Sequence, residues 1–372
     1  MRIFCLIGLY LLMLLPSHSF AQFRKYSNEF LNIGAGARGL SMGSAQVASA
    51  KDETAGYWNP AGLVGVKDRT NIGLMHADYF AGIAKYDYLS AAIPVQNGKR
   101  AIGFSILRFA VDEIPNTLNL VEPDGSINYN NIKTFAVEDY ALLLSLAQHI
   151  RQSENKGISF GINAKVIYRR VGKFATAWGF GLDAGLQMHG KNWNLGLMAR
   201  DITTTFNAWS FKFTEKDKEV LYLTKNDIPV KSTELTAPRL ILGGGYKFRI
   251  SNSFNLMAEA NFDITFDGKR NTVYSGNTLS IDPHIGLEAN IKDVFFIRGG
   301  ISNFQKALSD GDSLNQKKVW IYQPSIGAGF KIKSVMIDYA FTNLANQSNP
   351  LYTHIFSIRL NLARREIGRA HV

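Results

Sequence analysis

Enzymes need nucleophiles, bases, metal ligands or a cradle for phosphate, and this chain of 372 residues offers them sparsely. Five histidines lie away from the two chain ends: His76, His149, His189, His284 and His354. None belongs to a compact His/Glu metal motif or stands beside a marked nucleophile, so no catalytic residue, metal or cofactor is expected. The single cysteine, Cys5, lies in the first apolar run; the remainder can form no disulfide and hold no thiolate metal site. Glycines at 34, 36, 39 and 43 resemble a phosphate cradle. However, no buried strand precedes them and no Gly-Lys-Ser/Thr follows. The Asp-Gly pairs at 124–125, 267–268 and 310–311 mark turns and lack the further oxygens that a calcium loop requires.

The informative charged residues are those spaced two apart. Lys165, Arg169, Asp183, Lys247, Glu259, Asp263, Glu288, Arg298, Asp338 and Arg359 share one face with glycines, while apolar residues fill the alternate positions. Their mixed signs argue against a pore with ion-selective rings. They are expected to pair with one another and anchor a segment held among them. The net charge of +11 is dispersed over turns and loops with no basic stripe. Nucleic acid is therefore excluded as a partner, and a solvated surface beside anionic lipid is expected.

The element that must position these groups is a long alternating strand. Phe254, Leu256, Ala258, Ala260, Phe262 and Ile264 alternate with Asn255, Met257, Glu259, Asn261, Asp263 and Thr265. The pattern predicts fourteen strands: 67–78, 83–95, 99–112, 132–150, 157–171, 176–189, 192–204, 236–249, 253–265, 280–291, 293–303, 321–332, 334–343 and 352–362. Such lengths suit a tilted membrane crossing better than a soluble sandwich. Aromatics near strand ends, including Tyr168, Trp178, Trp193, Tyr246, Trp320 and Tyr322, read as interfacial girdles. The fold class is thus all-β, a transmembrane antiparallel barrel with its barrel domain at 67–365. Connections alternate between short (96–98, 151–156, 190–191, 250–252, 292, 333) and long (113–131, 205–235, 266–279, 304–320, 344–351), with 79–82 and 172–175 as short exceptions. Short turns mark the periplasmic side and long loops the outer side, which puts both mature termini in the periplasm.

The ends are read separately. Residues 1–21 form a signal peptide, with Arg2, an apolar stretch and a Ser19-Phe20-Ala21 cleavage site. Residues 366–372 match a translated sequencing adapter and are set aside. Between signal and barrel, 22–66 is rich in Gly, Ala and Ser, too weak in either propensity to order itself. It is expected to be a hatch inside the barrel mouth, turning at Asn59-Pro60 because proline drives the preceding residue out of the helical region. The longest loop, 205–235, carries Trp209, Phe211 and Phe213. It reads either as a partner-docking arm or as a hairpin that lengthens two strands.

At the hatch the chain resembles a known family. Phe30-Leu31-Asn32-Ile33-Gly34-Ala35-Gly36-Ala37-Arg38, then Met42-Gly43, then Trp58-Asn59-Pro60-Ala61-Gly62-Leu63, are similar to the amino-terminal signature of the PorV/PorQ family, within the wider FadL-like barrels. The resemblance implies Gly34, Gly36, Arg38, Met42, Gly43, Trp58, Asn59, Pro60 and Ala61 as the hatch motif. It also implies an outer-membrane protein of Bacteroidetes-like bacteria, seated in lipid and lipopolysaccharide and associated with type IX secretion. Gly62 stands where PorV itself carries lysine, which points to a paralogue. Two functions follow as expectations. The first is a plugged, non-enzymatic barrel whose outer loops bind a translocon or secreted cargo, with Trp209, Phe211 and Phe213 as contacts. The second is a FadL-like channel for hydrophobic small molecules, which requires an apolar pocket beside the hatch and an opening in the wall.

Overall fold

The computed structural model describes residues 22–23, 27–122, 124–154, 156–229, 232–308, 318–344 and 352–363. The expected signal peptide and adapter-derived tail lie outside them. Alternation of apolar and polar residues yields one sheet of successive antiparallel strands. These are β1 (Arg69–Tyr79), β2 (Ala84–Val95), β3 (Arg100–Asn116), β4 (Lys133–Gln152), β5 (Gly157–Val171), β6 (Ala175–His189), β7 (Trp193–Arg200) and β8 (Thr205–Phe211). They continue with β9 (Ser232–Thr236), β10 (Arg239–Arg249), β11 (Phe254–Thr265), β12 (Ser280–Ile291), β13 (Phe295–Leu308), β14 (Lys318–Ile332), β15 (Val335–Thr342) and β16 (Thr353–Ala363).

The sheet closes on itself, with β16 pairing β1 from His354 opposite Asp78 to Ala363 opposite Arg69. β7 and β8 lie end to end along β6, and β9 and β10 continue one another across Ala237-Pro238. The wall is therefore a closed barrel of fourteen strands. Closure leaves no lipid-exposed sheet edge, as hydrocarbon requires. Its faces are inverted relative to a soluble protein. On β5, Ser159, Asn163 and Lys165 are buried while Phe160 and Ile162 are exposed; Leu144 at 51% and Phe356 at 56% exposure represent the outer face.

Two expectations need correction. Connection 205–235 is not a free loop: β8 and β9 prolong two wall strands, and helix α3 (Glu215–Leu223) lies between them, begun by a capping box from Thr214 and Asp217. The hairpin reading of that stretch is the one observed. Nor do the described ends share a mouth. Ala363 pairs at the short-turn end, whereas Ser27 and Asn28 bond to Glu234 and Thr236 near the long-loop end. The hatch enters from that side and runs through the barrel to β1, because Asn207 on β8 and Thr236 on β9 supply the polar partners that Asn28 requires.

Residues 27–66 occupy the lumen, with nearly every side chain buried. They form two short helices, α1 (Ala37–Ser41) and α2 (Ala55–Trp58), and 3-10 turns at Glu29–Asn32 and Pro60–Val66. Inward-facing wall glycines are the seats for this segment. A Cβ at Gly300 would stand 2.1 Å from the Gly43 nitrogen, and one at Gly161 2.4 Å from the Ala61 nitrogen. Gly300→Val is therefore expected to lift the hatch at a cost of about 1–3 kcal/mol while leaving the wall closed. Trypsin should then cut at Arg38 in a barrel that still migrates as folded on unheated gels; protection equal to that of the natural chain would refute this seating.

Candidate functional site

The candidate site is the hatch and the inner wall that grips it. Gly34, Gly36 and Gly43 adopt φ of 117°, 79° and 61°, values that side-chain-bearing residues reach only with strain. These turns fold the chain around α1, whose amino-terminal N–H groups, as in any helix, find no partner within it. The barrel supplies partners instead: Gly36 N–H points to Met75 Sδ at 3.1 Å and Ala37 N–H donates to Ser357 Oγ at 2.7 Å. Gly43 N–H donates to Ser325 Oγ at 3.1 Å, and Met42 beside it is fully buried.

The Trp58-Asn59-Pro60-Ala61 end is the centre of the hatch. Trp58 lies against Gly34 and Gly39 and donates from Nε1 to Ala35 O at 2.8 Å. Asn59 is extended, at φ −163° and ψ 106°, as the following proline dictates. Its Oδ1 accepts from Ala61 N–H at 3.2 Å, while Nδ2 donates to Val47 O at 3.1 Å and to the wall at Leu186 O, 3.0 Å. One buried amide thus ties two hatch turns to β6.

Charge pairs complete the grip. Arg38 clasps Glu288 through Nε at 2.8 Å and Nη2 at 3.1 Å, a bidentate geometry. Glu288 also accepts from Arg298 at 2.7 Å, and Arg298 reaches Asp338 at 2.6 Å. Arg359 bonds to Asp52 and lies 3.9 Å from Glu53. Lys165 joins Asp183 at 2.8 Å and Asp201 at 2.5 Å. Removing one member of such a buried set costs more than the set contributes, because its partner is left charged and dry.

Most inward charges expected from alternation meet here. Asn163 and Gln187 fall on the inward face that alternation gives them. Asp52, Glu53 and Arg200 escaped the sequence reading; Arg200 sits on an inward position of β7, so the two-residue period could have found it, whereas Asp52 and Glu53 lie in the hatch, where no period exists. Arg200 donates to Tyr57 O at 3.1 Å and Leu31 O at 3.3 Å, with its guanidinium 4.5 Å from the Tyr57 ring centroid. His284 touches Gly43 O at 2.9 Å, and His354 lies 2.7 Å from Tyr339 Oη. Among the described residues no cluster of three or more metal-ligating side chains occurs.

Trp209, Phe211 and Phe213 are placed differently from the docking expectation. They are half-buried and stacked on one another, with centroids 6.2 and 6.4 Å apart, and Phe213 continues onto Phe174 at 5.9 Å. Arg169 lies over Trp209 at 5.2 Å. Trp209 and Phe211 extend the inward face of β8, each an even number of residues from buried Thr205 and Asn207, and Phe213 follows just beyond the strand.

At the long-loop end of the hatch space is scarce. A cavity of about 40 Å³ lies among Asn28, Leu31, Lys165, Arg200, Asp201 and Arg239, sufficient for a water or two. Its lining mixes Leu31, Tyr57 and Leu143 with these charged groups; a larger open recess of about 520 Å³, mainly apolar, lies in the wall at Leu195, Tyr246, Ala258 and Glu259. Next to the smaller cavity the wall is interrupted. Asp201–Thr204 bulges between β7 and β8, with Asp201 at φ 57° and Thr204 at φ 56°. Ala237-Pro238 interrupts the facing strand, where proline withholds a ladder donor.

Solved structures share this architecture. The Ralstonia pickettii toluene transporter TbuX matches at a TM-score of 0.51 and 12% identity, covering 88% of this chain and 98% of that one. The Pseudomonas putida toluene transporter TodX matches at 0.53 and 12%, over 89% and 99%, and the CymD monoaromatic hydrocarbon channel at 0.51 and 12%, over 89% and 98%. No protein-family model and no curated sequence matches the chain. The fold is that of the FadL-like outer-membrane barrels.

In the grip the Glu53 carboxyl is displaced toward neutrality. Burial, and then the neighbouring Asp52 charge, push the Glu53 carboxyl from its ordinary 4.5 up to about 8, against the pull of Arg359. The docked hatch thus holds a proton that a released hatch gives up. That contribution is complete below about pH 4.5 and disappears as pH rises through about 8, a loss of up to about 3 kcal/mol at pH 7. Protease protection of the hatch is expected to fall between pH 5 and 8. Glu53→Gln should flatten that fall; an unchanged slope in the variant would assign the titration elsewhere.

Proposed function

We propose that this barrel passes a hydrophobic small molecule beside its hatch and releases it sideways through the wall. The observation that supports this reading is the wall interruption at Asp201–Thr204, opposite Ala237-Pro238 and directly behind the hatch cavity. Lys165 holds Asp201 inward, so the bulge is tied to the lumen and not to the lipid face. TbuX and TodX are toluene transporters by name, which is in keeping with the same use of this fold. The filled lumen is then the closed state, and passage requires part of residues 27–66 to shift. Cells carrying the chain are expected to take up labelled toluene or oleate faster than cells with empty vector, and deletion of Ile202–Thr203 should abolish the gain at equal barrel abundance. No gain with either compound, even when Arg38→Ala loosens the hatch, would overturn the proposal.

A second reading has its own support. A lumen occupied by paired charges is an effective seal, and the similarity of residues 30–63 to the PorV/PorQ signature favours a role in type IX secretion. On this reading the barrel is a non-enzymatic docking component for the translocon or for secreted cargo, and the outer face of α3 and its flanking loop makes the contact. Tagged protein purified from native outer membrane should then retain the translocon barrel or a cargo carboxyl-terminal domain. Recovery of neither, alongside measurable hydrocarbon uptake, would decide for passage.

A further inference from the structure

Around most of the wall, outward positions are apolar from the short turns to the outer loops. On β5 they run Phe160, Ile162, Ala164 and Val166, and on β6 Trp178, Phe180 and Leu182. The first strands depart from this rule. His76, Asp87, Arg108 and Tyr140 stand directly opposite one another across β1, β2, β3 and β4. All four share the outward face of exposed Leu74, Leu89 and Leu144. They form one connected row: His76 Nδ1 lies 2.7 Å from Asp87, Arg108 donates to Asp87 at 3.2 Å and to Tyr140 at 3.2 Å, and Arg108 also reaches Glu138 at 3.1 Å. Arg170 joins Glu138 at 2.5 Å, and Lys85 joins Asp112 at 3.3 Å.

The row lies within the apolar band on β1 and β2. At roughly 2.5 Å of height per tilted strand residue, His76 is about 18 Å above the foot of β1, short of a band about 25 Å tall. Beyond it the hairpin tip turns apolar again, with Phe80 37% and Ile83 60% exposed. Lipid surrounds a barrel equally on all sides, so a polar row confined to one sector marks a sector that meets something else. A phosphate-bearing headgroup fits poorly. The acids Asp78, Asp87, Asp112 and Glu138 outnumber Lys85, Arg108 and Arg170, so the row is net acidic rather than a phosphate-binding patch.

We propose that this sector is the contact face between two copies of the chain, related by a two-fold axis along the membrane normal between β2 and β3. The row is complementary to itself under that rotation. Asp87 and Arg108 are neighbours across the β2–β3 ladder, so the turn brings Asp87 to the second copy's Arg108 and Arg108 to its Asp87. Closed two-fold pairing of this kind is the commonest way for a chain to meet itself. Leu89 and Ile106, opposite one another one outward step below, then pack across the axis in the hydrocarbon.

The chain's only cysteine is Cys5, ahead of the expected cleavage site, so a single introduced cysteine can report the contact. Leu89→Cys in native outer membranes should form a disulfide-linked dimer on mild oxidation, several-fold more than Leu242→Cys on the far wall. Adding Arg108→Asp should suppress that dimer, and Asp87→Arg with Arg108→Asp should restore it, with folding of each variant checked by gel migration before heating. Sedimentation of the natural protein in mild detergent, which needs no variant, should show a dimer. Equal crosslinking at both cysteines, crosslinking indifferent to Arg108→Asp, or a monomer shielded at Leu89 by lipopolysaccharide or another protein would each overturn the proposal.

Discussion

Hydrocarbon offers no partner to an N–H or C=O group, and each one left unpaired there costs several kcal/mol. A sheet whose outer face carries residues such as Leu144, Phe262 and Phe356 must therefore close, as the pairing of β16 with β1 does. Closure then creates the second problem that this molecule solves. The inner face, having surrendered its apolar residues to the lipid side, is lined with amides, hydroxyls and charges that require partners of their own.

The hatch supplies those partners and is itself ordered by them. A segment so rich in Gly and Ala loses much backbone entropy on folding and buries little bulk, so Trp58, Tyr57 and Met42 cannot order it alone. What holds it is directional bonding to the wall. Asn59 bonds to Leu186, Ala48 N–H bonds to Glu259, and Arg38 to Glu288. The wall glycines contribute by absence of side chains, letting hatch backbone approach β5 and β13 more closely than any Cβ would permit. Seal and barrel are thus one electrostatic unit, in which a single arginine, Arg359, bonds Asp52 and lies near Glu53.

The proposed passage would have to begin from this closed lumen. The hatch is bonded to the wall on both sides: Arg38 and Asp52 hold it to β12 and β16, and Arg200 and Asn207 hold it to β7 and β8, beside the wall interruption at Asp201–Thr204. Movement there would disturb the Lys165 cluster and leave the Arg38–Glu288–Arg298–Asp338 chain in place.

The two-residue period determined by itself the barrel, its strand count, the inversion of its faces and the inward direction of Lys165, Asp183, Glu259 and Arg359, because in a strand spacing alone assigns a side chain to a face. The turn at Asn59 was equally legible, since proline restricts its predecessor locally. Other features were decided only by tertiary structure. Asp52 and Glu53 lie in a segment with no period, so their partnership with Arg359 depended on where the hatch came to rest. Trp209, Phe211 and Phe213 turned inward because β8 continues a wall strand, and the choice of the hairpin over the docking arm rested on its pairing with β6 and β9. The entry of the hatch near the long-loop end was likewise set by Asn28 reaching Thr236 and Asn207, contacts about 200 residues distant in sequence. Periodicity reports the local direction of a side chain, whereas which groups meet across a lumen is set by the closure of the whole ring.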